Sequence, residues 1–297
     1  MSKLYNQPSV AVLIVSYNFE PWIDKCLISL QNSSLPTSIL VVDNGSNDST
    51  VKILREKYNK VEVIENKNNL GFGKANNIGI DWLIERGFKY IFLLNQDAWI
   101  EPDTIEKLIE VAEKNRDYAV LSPVHLNESG NETDFGFSHY TGLKNRAESL
   151  QLTSPVSTYP FINAAMWLVP TSIWEKIGGF SPLFSHYGED LNWVQRAQKE
   201  GFKVGLVRDA FGYHGREAVL ASTEKHFYSE YVFFLTEAVN PLYSYPKSII
   251  YSLLAPLKKA IKSILKGKIK ESGEYIKITL RLIKLQPAIR KTRRNTV

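Results

Sequence analysis

Four short apolar runs punctuate the first hundred residues, and each stops abruptly at polar ones. Val10-Ala-Val-Leu-Ile-Val15 gives way to Ser16-Tyr17-Asn18, and Ser38-Ile-Leu-Val-Val42 to Asp43-Asn-Gly-Ser46. Val61 to Ile64 is followed by Asn66-Lys-Asn-Asn-Leu-Gly-Phe-Gly73, and Tyr90-Ile-Phe-Leu-Leu94 by Asn95-Gln96-Asp97. The aliphatic runs ending at Val15, Val42 and Leu94 predict buried strands, and Val61 to Ile64 reads as a further short strand. Between them the spacing becomes helical. Pro21 opens a pattern with Ile23, Leu27 and Leu30 on one face, a second helix runs to about Tyr58 with Asp48 or Ser49 as its N-cap, and a third spans about Lys74 to Arg86. Strands and helices alternating in this way predict parallel βαβ units with right-handed crossovers. All four strand ends then converge on one sheet edge, where open α/β sheets hold ligands.

After Asp97 the pattern continues and then loosens. Pro102 starts a helix and Tyr118 to Val124 reads as a strand, but residues 125–160 are rich in Asn, Ser, Thr and Gly. Asp134-Phe-Gly136 in that stretch occurs in kinases; none of its partner motifs is present, so it reads as chance. Phe161 to Val169 is a further buried segment, and Pro170 begins a helix ending near Gly178-Gly179. His186-Tyr-Gly-Glu-Asp190 precedes a helix from about Leu191 to Glu200, and a strand from Lys203 to Val207 leads to Tyr213-His-Gly-Arg216. Beyond Pro246, Ile250, Leu253/Leu254, Leu257, Ile261 and Ile264 recur at helical spacing, with Pro256 expected to kink or split the helix. A second segment sets Lys277, Arg281 and Lys284 on one stripe and Ile276, Leu280 and Ile283 on another. The expected division is an α/β catalytic domain over 1–245 and a basic helical extension over 246–297.

Charge sharpens that division. Residues 258–297 carry 13 Lys/Arg against two Glu, so the net charge of +5 conceals a mildly acidic body and a cationic C-terminal segment. This argues against a nucleic-acid binder. The single Cys26 excludes an intrachain disulfide framework and suits a reducing compartment. The residues before Val10 do not read as a secretory signal, and no apolar run is long enough to span a bilayer.

The candidate chemistry lies after the strands. Asp43 reads either as a turn residue or as an acceptor for a nucleobase or ribose. Asp97 reads either as a turn aspartate or as one ligand of a Mg²⁺ ion shared with a substrate phosphate. Gly71 and Gly73 before Lys74 lack the spacing of a Walker motif; they form either a glycine-rich helix entry or a diphosphate cradle. Glu189 and Asp190 either complement a helix dipole or supply a general base, and His214 is either structural or a metal ligand. Trp167 and Trp193 read as core or wall aromatics.

Taken together and in this order, these stretches resemble the family 2 glycosyltransferases of the GT-A fold, and within them a bacterial rhamnosyltransferase-like group. The residues that carry the resemblance are Ser16-Tyr-Asn18, Val41-Val-Asp-Asn-Gly-Ser46, Asn69-x-Gly71-x-x-x-Ala75-x-Asn77-x-Gly79, Asn95-Gln-Asp97 in the place of a DxD motif, Gly188-Glu-Asp190 and His214-Gly215. The resemblance covers about residues 10 to 216. It implies a GT-A (Rossmann-like), mostly parallel sheet flanked by helices, and inverting transfer of a sugar from a nucleotide diphosphate to a glycan hydroxyl in bacterial cell-surface polysaccharide synthesis. Asp43, Ser16, Tyr17, Lys74, Asn95 and Gln96 would then line the donor site, and Asp97 with His214 would hold Mg²⁺ or Mn²⁺. Asp190 would be the base, with Trp167, Tyr187 and Glu189 near the acceptor. Asn95 departs from a full DxD and points toward dTDP-rhamnose as donor. The alternatives are a UDP-sugar donor (galactofuranose, glucose or GlcNAc) and a non-catalytic scaffold subunit. A lipid-linked acceptor, a peripheral place on the inner face of the cell membrane through the basic helices, and a homo-oligomer complete the expectations.

Overall fold

A computed structural model describes residues 9–215 and 222–294. By its internal packing the chain divides into two compact units, Met1–Gly179 with Gly201–Glu217, and Phe180–Glu200 with Ala218–Val297.

In chain order the first unit contains β1 (Val10–Ser16), α1 (Ile23–Gln31), β2 (Ser38–Asp43), α2 (Thr50–Lys57), β3 (Glu62–Glu65), α3 (Phe72–Ile84), β4 (Tyr90–Asn95), β5 (Ala98–Ile100) and α4 (Thr104–Lys114). It continues with β6 (Tyr118–Asn127), α5 (Phe135–Thr141), α6 (Arg146–Leu150), β7 (Val156–Tyr159), β8 (Met166–Pro170) and α7 (Thr171–Ile177). The second unit supplies α8 (Glu189–Lys199), and the chain then returns to the first unit for β9 (Lys203–His214). The remaining elements belong to the second unit: α9 (Thr223–Val239), α10 (Tyr245–Ile249), a π-helical turn at Ile250–Leu254, α11 (Ala255–Leu265), α12 (Ile269–Lys284) and α13 (Gln286–Arg294).

The sheet runs β3-β2-β1-β4-β8-β6-β9-β5, with β7 also pairing with β9. β1 to β4 pair in parallel, and β1, β2 and β4 end together at one edge, with Ser16 opposite Asp43 and Asn95 opposite Val15. The later strands make the sheet mixed: β8 runs antiparallel to β4 and β6, whereas β9 runs parallel to β6. Side chains from β1 and β4 and from α1 and α4 fill a continuous core around Val12, Ile14, Phe92, Leu27 and Leu108. Helix α3 lies so close to the sheet that a Cβ at Gly79 would stand 2.4 Å from Leu13 Cδ1, so only glycine fits there.

Two features lay outside the sequence expectations. β5 is only three residues long, yet it pairs antiparallel with the end of β9. The polar stretch after β6 carries α5, α6 and β7. The N-terminus of α2 is satisfied by Asp48, whose Oδ1 accepts the Thr50 N–H at 3.0 Å, while Ser49 makes no side-chain cap.

In the second unit, α9, α11, α12 and α13 pack around Phe234, Leu235, Tyr275, Ile278, Leu282 and Ile289. Pro256 splits the preceding helix as expected. It sits in the first turn of α11, directly after the π-helical turn, where its missing N–H interrupts the regular hydrogen-bond ladder. Among the described residues no helix is long and apolar enough to cross a membrane.

Candidate active site

The ends of β1, β2 and β4 are tied together by their own polar side chains. Asp43 is 2% exposed, and its carboxylate is committed to the loop it opens. Oδ1 accepts from Ser16 Oγ at 2.9 Å and from Ser46 Oγ, while Oδ2 accepts the backbone N–H groups of Gly45 and Ser46 at 3.1 and 2.9 Å. Of its two readings, the turn-former is the one these contacts display. Asn44 extends the lacing to the next loop, where its Oδ1 accepts from Asn66 Nδ2 at 3.0 Å. Gln96 acts as a substitute sheet rung between β1 and β4. Its Oε1 accepts the Tyr17 N–H at 2.8 Å, and its Nε2 donates to the Tyr17 carbonyl at 3.2 Å. The Tyr17 ring stays exposed, and Lys74 is exposed in the first turn of α3.

Asp97 lies in the two-residue turn between β4 and β5. Pairing of β5 with β9 sets Ala98 opposite His214, and the Gly215 N–H donates to the Asp97 carbonyl at 2.7 Å. This brings His214 Nε2 to 3.2 Å from Asp97 Oδ1, with Asn95 Nδ2 3.4 Å from the same nitrogen. A Cβ at Gly215 would meet the Trp22 ring at 2.4 Å, so the chain passes beneath the indole only as glycine. Arg216, the last residue of that expected motif, lies outside the described residues.

His214 has a second carboxylate behind it. Asp134 Oδ2 lies 3.6 Å from its Nδ1, and both side chains are at most 5% exposed. Burial by itself would lower the imidazole's pKa, but the contacts with Asp134 and Asp97 outweigh it and push the value up to about 9. Burial would likewise raise Asp134, and the His214 contact, the Phe137 N–H and the nearby imidazole charge hold it at about 2. His125, buried in the same neighbourhood, is driven down to about 3 by desolvation and by the charge on His214. Asp134 is the residue that sequence reasoning set aside within Asp-Phe-Gly. The available signal was its place before a short helix, where Oδ1 accepts the Phe137 N–H at 3.1 Å.

The donor set fits a divalent cation shared with a substrate. One carboxylate oxygen and one imidazole nitrogen face each other, a combination suited to Mn²⁺ and acceptable to Mg²⁺. Among the described residues no group of three or more His, Cys, Asp or Glu side chains forms a complete cage, so phosphate oxygens of a donor would have to fill the remaining positions.

The other expected residues are placed differently. Trp167 departs from a place near the acceptor: it is fully buried on β8, and its Nε1 donates to the Ile162 carbonyl at 3.1 Å, so it is a core residue. Trp193 is also fully buried. Glu189 and Asp190 open α8 in the second unit, two residues earlier than the expected helix start. Asp190 is half-buried, and its Oδ1 accepts the N–H of Leu191 at 2.8 Å. Glu189 is buried with Oε2 lacking a hydrogen-bond partner, and burial together with the Asp190 charge pushes its pKa up to about 7. Gly188 has φ +87°, and a Cβ there would strike Thr236, Val232 and Phe184, which fixes the start of α8 against α9. Tyr187 is exposed at φ +64°.

The profile of glycosyl transferase family 2 matches residues 11–172. An uncharacterized glycosyltransferase of Haemophilus influenzae is 36% identical over 114 residues, which are 37% of this chain and 34% of that protein. The chain thus spans about a third of that relative's length. An N-acetylglucosaminyl-diphospho-decaprenol L-rhamnosyltransferase of Mycobacterium tuberculosis is 24% identical over 228 residues, covering 67% of this chain and 73% of that protein. Among solved structures, S. aureus TarS 1-349 in complex with UDP-GlcNAc superposes with a TM-score of 0.63 at 17% identity, over 97% of this chain and 88% of that one. This likeness establishes the GT-A glycosyltransferase fold.

Proposed function

The chain belongs to glycosyl transferase family 2, and on that premise we propose that it is an inverting glycosyltransferase that moves a sugar from a nucleotide diphosphate to a glycan hydroxyl. The observation that carries this reading is the approach of His214 Nε2 to Asp97 Oδ1 at the edge where β1, β2 and β4 end. Rhamnose from dTDP-rhamnose is the favoured donor. Asn95 in the DxD position and the rhamnosyl-transferring Mycobacterium relative support it.

In this reading the acceptor oxygen bonds to the anomeric carbon as the bond from that carbon to the diphosphate oxygen breaks, and the configuration inverts. Asp190 takes the acceptor's hydroxyl proton, a role worth about 10²- to 10⁴-fold. Asp97 and His214 would hold Mg²⁺ or Mn²⁺, which supplies positive charge for the departing diphosphate when bound. Lys74 adds a cation near the same phosphates, and Tyr17 offers its exposed ring to the base.

A panel of dTDP- and UDP-sugars with Mg²⁺ or Mn²⁺, read by calorimetry and product analysis, tests the reading. Asp190→Asn should abolish transfer while donor binding survives, and Asp97→Ala should lose metal-dependent donor binding. Unaltered turnover in the first variant removes Asp190 from the mechanism. Equal donor affinity with and without metal in the wild type removes the metal. Binding of donors without any turnover would instead favour a scaffold subunit.

The C-terminal helices serve, in the same reading, to seat the enzyme on an anionic membrane surface carrying a lipid-linked acceptor. Leu254, Leu257, Ile261, Ile264 and Leu265 are 42–82% exposed, while Ser252, Ala260 and Ser263 face inward. On α12, Ile269, Ile276, Leu280 and Ile283 are exposed and Ser272 and Thr279 are buried. The exposed Lys258, Lys262 and Lys266 beside the first ridge suit acidic headgroups, each contributing about 1 kcal/mol near the surface.

A further inference from the structure

Asp134 and His214 are 80 positions apart and meet because both are anchored to β6. His214 stands opposite Asn127 in the parallel β6–β9 register. Asp134 is fixed at the same C-terminal end of that strand: its N–H donates to the His125 carbonyl at 2.9 Å, and its neighbour Thr133 bridges Leu126. One carboxylate oxygen is then occupied by the cap of α5, and the other lies 3.6 Å from His214 Nδ1, a buried nitrogen with no nearer hydrogen-bond partner among the described residues. Both side chains are nearly sealed from solvent, so neither rotates freely.

A ring nitrogen that binds a cation must offer a lone pair, and the identity of that nitrogen is set by the hydrogen bond made at the other. We propose that Asp134 is a positioning residue for His214, accepting the Nδ1 proton so that Nε2 is the nitrogen presented beside Asp97 to a divalent cation. The inference rests on the metal reading above and adds a third member to that pair. Asp134 touches neither donor nor cation and acts through the imidazole.

The test is a titration of Mn²⁺, with and without UDP, followed by the EPR signal of free Mn²⁺. Asp134→Ser keeps an oxygen for the helix cap but is too short to reach His214, whereas Asp134→Asn keeps the cap oxygen and the side-chain length but turns an NH2 donor toward Nδ1. The serine variant should bind Mn²⁺ about 10- to 100-fold more weakly. The asparagine variant should lose about as much, because a donor facing Nδ1 holds the ring proton on Nε2. In the His214→Ala background the serine change should have no further effect, which a merely structural role for Asp134 would not produce. If the wild type binds Mn²⁺ and Asp134→Ser binds equally tightly, or if the two losses simply add, the positioning role is overturned and the metal site stands. If the wild type takes up no Mn²⁺ under either condition, the metal reading itself falls and the inference with it. Thermal unfolding of both Asp134 variants is measured alongside; loss of fold in the serine variant leaves the decision to Asp134→Asn, whose binding must then fall about tenfold or more below wild type for the proposal to hold.

Discussion

Along β1 and β4 every side chain from Val10 to Ile14 and from Tyr90 to Leu94 is buried, and the apolar runs in the sequence are the core. Along α11 the reverse holds, with Ala260 and Ser263 buried while Leu257, Ile261, Ile264 and Leu265 face out, and α12 is mixed, burying Ser272 and Thr279 beside Tyr275, Ile278 and Leu282 while Ile269, Ile276, Leu280 and Ile283 are exposed. Both regions are rich in aliphatic residues, so composition does not separate them. What differs is the space each element packs into. A strand covered on both faces must bury whatever it carries. Helices that approach one another closely select small residues at the contact, and α11 meets its neighbours through Ala260 and Ser263. The larger side chains are left on the outer face.

That contrast is breakable by measurement, beginning with the sheet. Phe92→Ala removes a fully buried ring from the centre of the first unit and should cost about 3–5 kcal/mol in denaturant unfolding. A loss under 1 kcal/mol would mean that the buried runs are not the core that holds the unit. The second unit offers an effect of the opposite sign at Glu189. Its carboxyl titrates near 7 in the fold against an ordinary 4.5, so its stabilising contribution is intact below pH 4.5 and is lost as the pH climbs toward 7. Glu189→Gln should therefore match the wild type at pH 4.5 and exceed it at pH 8 by up to about 3 kcal/mol. A difference independent of pH would assign the effect to packing. The smallest stability change is expected on the exposed ridge. Leu257→Gln with Ile261→Gln should alter unfolding by no more than about 0.5 kcal/mol per site, while flotation with phosphatidylglycerol vesicles falls well below wild type. Undiminished flotation would separate the ridge from membrane binding.

The same contrast explains what could be read from the sequence. β1, β2 and β4 with their helices were legible because most of each strand is buried and their ends are marked by polar residues. Ser16, Asp43, Asn95 and Asp97 were found for that reason. β5 was not, since three residues carry no period, and its pairing with β9 is a contact between positions more than a hundred apart. Asp134 was lost in a polar stretch, where a helix cap looks like any turn aspartate until the distant His214 is folded against it. The outward ridge was visible as a helical period but not as exposed, because periodicity identifies a face without saying what lies opposite it.

Cys26, the chain's one thiol, sits on the inner face of α1 among the residues that close the core of the first unit. Burial, reinforced by the Asp97 charge, pushes its pKa far up, so the reactive thiolate is suppressed in the folded protein. The molecule thereby carries its own clock. The rate at which an alkylating reagent consumes this sulfur reports how often the sheet unit opens, and a nucleotide that closes the strand ends should slow it in proportion to occupancy, with no label introduced.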